Sequence, residues 1–254
     1  MGDATSTEPT VWLDLSTPDV GGAFNFYQGL LGWELQSARG PDGDHHLVEA
    51  DGRPFASIMA PGDEPAPLPA AWTVFVQVTR LEDVVAEVGR SGGTVLDGPL
   101  DIPAGRIAVV ADPTGAMVGL ISSDEPLGAR LDSSHGSVRW IEVLTREPEI
   151  ATPFYTAVLG WQAELVEREH TSYTLFTVEG EPVAGLLPMP DEVPAEAPSH
   201  WLVAFAVDDC AAAERRAIDL GGQVMRPTTQ VAQWRFAVLA DPAGAVFQVM
   251  ERAD

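Results

Sequence analysis

The apolar and polar positions of this chain form two patterns that follow one another. Residues 10–16 place apolar side chains at alternate positions, which predicts a β-strand. Val20, Phe24, Tyr27 and Leu31 then recur at spacings of three to four residues, which predicts an amphipathic helix. The chain is therefore expected to begin with a strand followed by a helix.

Local start and stop signals give the ends of this first helix. The stretch STPD supplies a helix start, with Thr17 as the predicted N-cap and Pro18 in the first turn. Gly32 is expected to end the helix. Three further strands are expected around Leu35, from His46 to Glu49 and from Phe55 to Met59. The first quarter is thus predicted to be a β-α-β-β-β module.

The same order of patterns recurs three more times, and two sequence signatures recur with it. FYQGLLGW at residues 26–33 matches FYTAVLGW at residues 154–161. VVADPTGAMVGLI at residues 109–121 matches VLADPAGAVFQVM at residues 238–250. Self-similarity at a fixed offset indicates repeated structural units. The chain is therefore predicted to consist of two similar halves, each with two modules.

The expected fold class is α+β, built from four βαβββ modules. The modules are placed at residues 8–60, 71–122, 137–188 and 199–252. Proline-rich acidic linkers at residues 60–71 and 188–199 separate the two modules of each half. A polar linker at residues 123–136 separates the first domain, residues 8–122, from the second, residues 137–252.

Composition and charge exclude several classes of partner. The 254-residue chain has a formal net charge of −24, which would repel phosphate backbones and anionic lipids, so neither nucleic acid nor a membrane is an expected partner. No apolar run reaches the roughly 18 residues of a membrane span, and the first ten residues carry no export signal. The single cysteine, Cys210, fits a reducing cytoplasm. We expect a cytoplasmic protein; whether it forms a homodimer is left open.

The repeated FY…LGW and ADPxGA signatures, on a repeated β-α-β-β-β unit, resemble the vicinal oxygen chelate superfamily. That superfamily includes glyoxalase I, bleomycin-resistance proteins and extradiol dioxygenases. The resemblance extends from about residue 10 to residue 251, and it implies two tandem domains whose mixed sheets are cup-shaped. The closer pattern resembles two-domain actinobacterial proteins described as glyoxalase-like or hydroxylase-like. Because one fold can serve many functions, the function must be inferred from the cups.

In the metal-using members of that superfamily, two first-strand and two last-strand residues of each cup hold a divalent ion. The resemblance places the first-strand counterparts at Trp12, Thr73, Trp140 and Leu202 and the last-strand counterparts near Ser57, Gly119, Gly185 and Gln248. Modules could pair one with two and three with four, or one with four and two with three. Neither pairing supplies a histidine or a carboxylate, and indole, leucine and glycine side chains offer no ligand atom. We therefore expect no metal and no cofactor.

The histidines and the turn aspartates do not change that expectation. The histidines are His45, His46, His135, His170 and His200. All but the first two are expected to be exposed polar residues in or near loops, while adjacent strand residues 45 and 46 face opposite sides. Asp112 and Asp241 of the ADPxGA stretches are expected to shape turns, with Gly115 and Gly244 at positive φ.

Two matched pairs of residues are expected to face the cups in place of chelating side chains. Strand alternation puts Trp12 on the same face as Asp14, and Trp140 on the same face as Glu142. A carboxyl beside an indole in a poorly hydrated cup should have a raised pKa, which suits general acid/base catalysis. Asp14 and Glu142 are the candidate catalytic residues. The alternative is that the two tryptophans fill the cups as core residues.

Further residues are candidates for contact with a small-molecule ligand. Arg106 and Arg235 start equivalent strands and could pair with a cup carboxylate, bind an anionic group of a ligand, or lie exposed at the rim. An aromatic and methionine-rich wall would favour flat or apolar ligands. The remaining candidates are Trp12, Phe75, Gln77, Met117, Trp140, Tyr173, Trp234 and Gln248.

Three functions are compatible with this sequence. The first is a metal-independent enzyme, such as a lyase, isomerase, cyclase or hydroxylase-like tailoring enzyme, that acts on a small, largely apolar or aromatic metabolite of secondary metabolism. The second is a non-catalytic protein that binds a small molecule for resistance or sequestration. The third is a divalent-metal-dependent glyoxalase or dioxygenase. We rank the metal-dependent function below the other two, because the positions matched to metal ligands lack histidine and carboxylate side chains.

Overall fold

Each half of the chain folds into one eight-stranded mixed β-sheet with two helices, as a computed structural model shows. The structure describes residues 10–40, 43–50, 52–61, 69–125, 127–167 and 172–253. The predicted α+β class and the four βαβββ modules are confirmed.

Sheet A, the sheet of the first half, contains eight strands and its half has two helices. The strands are β1 (Val11–Ser16), β2 (Glu34–Gly40), β3 (Gly43–Ala50), β4 (Arg53–Met59), β5 (Ala71–Gln77), β6 (Thr94–Ile102), β7 (Gly105–Ala111) and β8 (Met117–Ser122). The helices are α1 (Val20–Leu31) and α2 (Leu81–Arg90).

Sheet B, the sheet of the second half, repeats this arrangement. The strands are β9 (Val138–Thr145), β10 (Gln162–Glu167), β11 (Ser172–Val178), β12 (Glu181–Pro188), β13 (His200–Ala206), β14 (Gln223–Val231), β15 (Trp234–Ala240) and β16 (Val246–Arg252). The helices are α3 (Pro148–Leu159) and α4 (Cys210–Asp219).

The two modules of each half pair with one another, which decides between the two pairings that the sequence left open. In sheet A the strand order is β2-β3-β4-β1-β5-β8-β7-β6, so β1 of the first module lies antiparallel to β5 of the second. Sheet B has the equivalent order, with β9 beside β13. The first strand of each module is also parallel to the last, as β1 is to β4. All four first and last strands of a half therefore lie in the middle of its sheet.

Alternation along the central strands defines two faces of each sheet. Leu13 and Leu15 of β1 are fully buried in the core that includes the helices, whereas Trp12, Asp14 and Ser16 between them are half-buried. We call the side that carries Trp12 and Asp14 in sheet A, and its equivalent in sheet B, the cup face. The other side is the helix face. The predicted alternation of β1 is thus what the structure shows.

The helix ends are set by side-chain caps and by glycine, with one difference from the sequence prediction. Helix α1 begins at Val20, and its N-cap is Asp19, whose carboxylate accepts a hydrogen bond from the Gly22 amide at 2.9 Å. Thr17, the predicted N-cap, and Pro18, the predicted first-turn residue, both lie before the helix. The helix starts two residues later than predicted, because the Asp19 carboxylate caps it. Gly32 ends it in the left-handed conformation, as predicted.

The two halves pack against each other through their helix faces. One continuous core contains buried residues of both sheets, with α1 beside α4 and α2 beside α3. The Tyr27 hydroxyl, on α1, donates to Asp241 of the second half at 3.3 Å. The Tyr155 hydroxyl, on α3, donates to Asp112 of the first half at 2.9 Å. Each FY…LGW tyrosine therefore binds the ADPxGA aspartate of the other half.

An indole completes each of these tyrosine–aspartate contacts. Trp72 donates to the Tyr27 hydroxyl at 2.9 Å, and Trp201 donates to the Tyr155 hydroxyl at 3.1 Å. Burial, followed by the nearby Asp241 carboxylate, raises the pKa of Tyr27 well above its usual value. Burial and then the Asp112 carboxylate act on the pKa of Tyr155 in the same way. The aspartates that the sequence assigned to turns therefore also join the two halves.

Candidate functional site

The cup face of sheet A is centred on Asp14. Register places Asp14 between Ser57 of β4 and Thr73 of β5. The Trp12 indole donates to Oδ1 of Asp14 at 2.7 Å, and the Ser57 hydroxyl donates to the same oxygen. Trp12 and Asp14 therefore share a face and contact one another. The carboxylate thus accepts hydrogen bonds from at least two side chains of its own sheet.

The cup face of sheet B carries a longer hydrogen-bonded chain around Glu142. The Trp140 indole donates to the Tyr173 hydroxyl at 2.8 Å, and that hydroxyl donates to Oε2 of Glu142 at 3.1 Å. The side-chain amide of Gln248 donates to Oε1 of Glu142 at 3.0 Å. Glu142, Tyr173 and Gln248 are 8%, 6% and 5% exposed. Four candidates from the sequence thus meet in one buried network.

A glycine in the last strand admits an aromatic side chain into the centre of each cup. A Cβ atom added to Gly119 would lie 2.1 Å from the Phe75 ring, and one added to Gly185 would lie 1.7 Å from the Tyr173 hydroxyl. Both contacts are far shorter than van der Waals distance, so the rings occupy the space of the missing side chains. One of the two last-strand positions that the sequence analysis matched to chelating residues is therefore filled in each cup, Gly119 by Phe75 and Gly185 by Tyr173.

Among the side chains that the structure describes, the donor set does not fit a divalent ion at either centre. Sheet A offers the Asp14 carboxylate with two weak hydroxyls, and sheet B offers Glu142 with one amide, Gln248. Divalent ions normally take several carboxylate, imidazole or carbonyl ligands together. Across the part of the chain that the structure describes, no group of three His, Cys, Asp or Glu residues could hold a metal ion.

A segment after β12 covers part of the cup face of sheet B. We call residues 189–197 the strap. Met189 of the strap is buried with Leu144 and Leu202, two cup-face neighbours of Glu142, and Val193 and Ala197 pack on the same cluster. The strap therefore closes the apolar end of this cup.

Arg146 fixes the strap in place. Its guanidinium donates to the carbonyl oxygens of Pro194 at 2.9 Å, Ala197 at 3.0 Å and Val193 at 3.2 Å. Charge-assisted bonds of this kind are stronger than bonds between neutral groups. The sequence analysis missed Arg146. The sequence did contain one indication of its role, a difference between the two halves of the repeat. Arg146 follows Thr145 in the second half, whereas Pro18 follows Thr17 at the matching place in the first half.

The two strand-start arginines lie away from the cup carboxylates. Arg106 forms ion pairs with Glu82 of α2 and with Asp101 of β6. Arg235 pairs with Glu251 at 2.8 Å. Strand alternation puts Arg235 on the same face as the buried core residue Ala237, which is the helix face. Of the three roles that the sequence left open for these arginines, the ion pairs shown here, with Glu82, Asp101 and Glu251, do not support pairing with a cup carboxylate.

The remaining candidates occupy the rims of the cups. Gln77 accepts hydrogen bonds from the Thr10 hydroxyl at 2.7 Å and from the Leu127 amide at 3.3 Å, so its side chain supports the polar linker. Met117 begins β8 and is 54% exposed. Trp234 begins β15, where the Arg139 guanidinium carbon lies 4.3 Å from its ring centroid.

The histidines lie outside both networks in the described part of the chain. His135 lies 3.3 Å from the Asp208 carboxylate, and His200 contacts the Pro198 carbonyl at 2.9 Å. The His46 ring lies on the face opposite Ser57, because it is paired with the core residue Ile58. His170 and the side chain of His45 lie outside the described residues.

A cavity of about 410 Å³ lies beside the start of α4, and neither Asp14 nor Glu142 lines it. Asp209, Thr228, Arg235 and Glu251 are among its lining residues. Its charged groups are already paired, since Arg235 binds Glu251 and Asp209 caps α4 by accepting from the Ala212 amide. We therefore place the candidate site in the cups rather than in this cavity.

Comparison with known proteins gives the family to which this fold and these cups belong. Residues 10–120 match the family described as the glyoxalase/bleomycin resistance protein/dioxygenase superfamily, and residues 140–250 match the glyoxalase-like domain. The chain belongs to this superfamily, as its resemblance to the vicinal oxygen chelate proteins implied.

Two relatives are similar to this chain over nearly their whole length. CFP32 of Mycobacterium tuberculosis, a protein named as a glyoxylase, is 37% identical over 251 residues, which cover 95% of this chain and 94% of the relative. The anthracycline biosynthesis protein DauV of a Streptomyces species is 34% identical over 254 residues, covering 94% of this chain and 92% of the relative.

Solved structures with the same fold include a Mn(II)-bound glyoxalase and a dioxygenase. The Mn(II)-bound glyoxalase from Novosphingobium aromaticivorans has a TM-score of 0.65 at 18% identity, covering 96% of this chain and 83% of that one. The 2,3-dioxygenase LapB from a Pseudomonas species has a TM-score of 0.67 at 13% identity, covering 97% and 92%. At these identities the likeness shows the fold alone. No helix within the described residues has the length and apolarity needed to cross a membrane.

Proposed function

We propose that this protein is a metal-independent member of its superfamily that acts on a small, largely apolar or aromatic metabolite. The observation that carries the proposal is one carboxylate at the described centre of each cup, which accepts hydrogen bonds from indole, hydroxyl and amide groups of its own sheet. In this account Asp14 and Glu142 serve as the acid/base groups. Trp12 and Trp140 supply apolar surface next to them.

The chemistry of the cups supports acid/base catalysis. A carboxyl group fixed in a poorly hydrated cup can serve as a general acid or base, and positioned acids and bases typically accelerate reactions by about 10² to 10⁴-fold. The Trp12 and Trp140 rings also favour flat ligands through stacking. A lyase, isomerase or cyclase reaction that only moves a proton on the substrate would need no other group.

The relatives support a role in secondary metabolism. DauV and the similar DnrV of Streptomyces peucetius are both named for anthracycline biosynthesis. We infer that this chain acts in a comparable pathway on a compound that fits an aromatic cup. The strongly negative net charge and the buried thiol of Cys210 are consistent with a cytoplasmic protein whose partner is a small molecule.

A second candidate function is binding without catalysis. It is favoured by one observation, since Glu142 already accepts hydrogen bonds on both carboxylate oxygens from Tyr173 and Gln248. A carboxylate engaged in this way can shape a binding surface without transferring a proton. The superfamily to which the chain belongs includes resistance proteins by its description.

Turnover by a double variant tests the proposal. The protein would first be treated with a chelator and then incubated with compounds produced by the enzymes that its neighbouring genes encode. The products would be analysed by mass spectrometry. We expect turnover to survive chelation and to fall about 100-fold or more in a variant with Asp14→Asn and Glu142→Gln. Full turnover by the double variant would exclude the acid/base role. Tight binding of a compound recovered unchanged would favour the second candidate.

A further inference from the structure

We propose that the rim of the sheet B cup binds the carboxylate of a small aromatic acid through two arginines, Arg139 and Arg252, that lie beside Trp234. We call these three residues the arginine rim. The inference rests on the proposed function for the small aromatic ligand and deepens it by adding a charged group to that ligand. It is carried by the placement of the two guanidinium groups, by a buried nitrogen of Arg139 and by the apolar side chains next to them.

A β-bulge re-aims the side chain of Arg139. Residues 138 and 140 of β9 are paired with the consecutive residues 205 and 204 of β13, so Arg139 is an extra residue between two paired positions. A bulge of this kind bends its strand and turns the extra side chain away from the regular alternation. At the matching place in sheet A the register of β1 with β5 is regular, and the counterpart of Arg139 is the core residue Val11. The bulge therefore brings out of the core an arginine that stands where the first half has a buried valine.

The indole of Trp234 fixes the position of Arg139. The guanidinium carbon of Arg139 lies 4.3 Å from the centroid of the Trp234 ring, which is a cation–π contact. Trp234 precedes the helix-face residue Arg235 on β15, so its own side chain lies on the cup face. Arg252 of β16 is the direct cross-strand partner of Trp234, and paired residues project from the same face. Two guanidinium groups thus lie beside one indole on the cup face.

The guanidinium of Arg139 lacks a counter-ion in the part of the chain that the structure describes. Its Nε atom is buried without a hydrogen-bond partner, and no described carboxylate forms an ion pair with it. Asp132 lines the same cavity of about 250 Å³ as Arg139. The Asp132 carboxylate instead accepts hydrogen bonds from the Ser134 amide at 2.6 Å and the Ser134 hydroxyl at 2.7 Å. Because a half-buried cation without a counter-ion is costly, this arrangement favours a bound anion.

The two arginines of the rim also act on one another. Burial lowers the pKa of Arg139, the Asp132 carboxylate raises it in part, and the positive charge of Arg252 lowers it further. The chain has 38 acidic residues and only 14 basic ones, so two neighbouring arginines run against its overall balance. A carboxylate bound between them would offset both positive charges. The planar guanidinium fork matches a carboxylate with two parallel hydrogen bonds.

Apolar side chains next to the arginine rim suit an aromatic ring. Phe236 and Met250 lie opposite one another on β15 and β16, each two residues from a member of the rim, so they share its face. Both are half-buried. The guanidinium carbon of Arg226 lies 5.7 Å from the Phe236 ring centroid and adds a third positive charge. An aromatic acid can therefore place its ring on Phe236 and Met250 and its carboxylate at the arginine rim.

Calorimetric titration of the whole protein with 2-naphthoate, and with the neutral 2-naphthamide of similar shape, tests this inference. We expect saturable binding of 2-naphthoate, at least about tenfold tighter than binding of 2-naphthamide, because charge-assisted hydrogen bonds are stronger than neutral ones. The ratio of the two affinities should fall as sodium chloride is added, since salt screens charges that solvent can reach.

Substitution of the two arginines locates the bound carboxylate. Arg139→Gln and Arg252→Gln should each weaken binding of 2-naphthoate about tenfold or more and leave binding of 2-naphthamide within about twofold. Arg90→Gln is the matched control, because it removes the same charge from an exposed position on α2, and it should leave both affinities within about twofold. The unequal effect on the two ligands separates recognition of charge from loss of structure, and melting temperatures would report that each variant is folded.

The possible outcomes separate this inference from the proposed function. Absence of saturable 2-naphthoate binding, equal affinity for the two ligands, or an affinity ratio that folded Arg139→Gln and Arg252→Gln leave unchanged would overturn the inference. A loss in Arg90→Gln as large as in the rim variants would also overturn it, because net charge alone would then explain the preference. None of these results bears on the proposed acid/base role, which is tested by turnover of the Asp14→Asn and Glu142→Gln double variant.

Discussion

Single residues decide what can occupy the centre of each cup. Gly185 leaves room for the Tyr173 hydroxyl, which in turn joins Trp140 to Glu142. The sequence analysis placed a glycine, Gly185, at a position matched to a metal-chelating residue, because a residue type can be read directly from the sequence. It did not show which ring would enter the space, because Tyr173 reaches it from a neighbouring strand and register between strands is set by the fold.

Substitution of Gly185 tests whether the missing side chain positions Tyr173. In Gly185→Ala the added Cβ would overlap the Tyr173 hydroxyl, so the ring must shift and the bonds to Trp140 and Glu142 would break. We expect the free energy of unfolding in urea to fall by about 1–3 kcal/mol. Gly89→Ala is the matched control, since Gly89 lies in α2 with nothing near its Cβ position, and it should raise that free energy by about 0.4–1 kcal/mol. If Gly185→Ala left the free energy of unfolding unchanged, the idea that Gly185 positions the Tyr173 ring would be contradicted.

The only cysteine should be chemically inert in the folded protein. Burial, followed by the Glu251 carboxylate, raises the pKa of the Cys210 thiol to about 12, so the reactive thiolate is scarce at neutral pH. We expect no reaction with a disulfide reagent in native buffer and complete reaction of one thiol per chain in guanidinium chloride. Rapid labelling of the native protein would show that Cys210 is more accessible than its burial indicates.

At the scale of elements, the two repeated signatures are explained by one contact made twice. The tyrosine near the middle of α1 or α3 donates to the aspartate of the ADPxGA turn in the other half, and an indole from β5 or β13 donates to that tyrosine. The sequence predicted both the helices and the turns, since their patterns are local. It could not show that they meet, because that contact depends on how the halves pack.

The two buried tyrosines should make the protein sensitive to alkaline pH. The pKa values of Tyr27 and Tyr155 are raised in the folded state, so their contribution to stability is present below the unfolded pKa of about 10 and is lost as the pH rises above it. We expect the free energy of unfolding to decrease above about pH 10. In a phenolate absorbance titration, at least two of the three tyrosines of the chain should ionise only when the protein unfolds. Ionisation of all three near pH 10 in folded protein would contradict the raised values.

At the scale of the whole molecule, the duplicated fold carries two cups whose carboxylates, Asp14 and Glu142, accept hydrogen bonds from different side chains. The repeat, the module order and the superfamily followed from the sequence because the signatures recur at matching positions. The pairing of modules, the strap over sheet B and the outward pairing of Arg106 and Arg235 did not follow, because each depends on contacts between segments distant in the chain. Asp14 and Glu142 were predicted to face the cups from strand alternation together with the match of Trp12 and Trp140 to the metal positions of the superfamily.

The metal content of the purified protein tests the central claim most directly, namely that the cups work through carboxylates and shape rather than through a chelated ion. Untagged protein would be dialysed against manganese, iron, nickel and zinc in turn, washed, and measured by elemental analysis. The account predicts far less than one ion per chain for every metal, with the same value in Asp14→Asn and in Glu142→Gln. One tightly held ion per chain or per half, lost on substitution of Asp14 or Glu142, would contradict it.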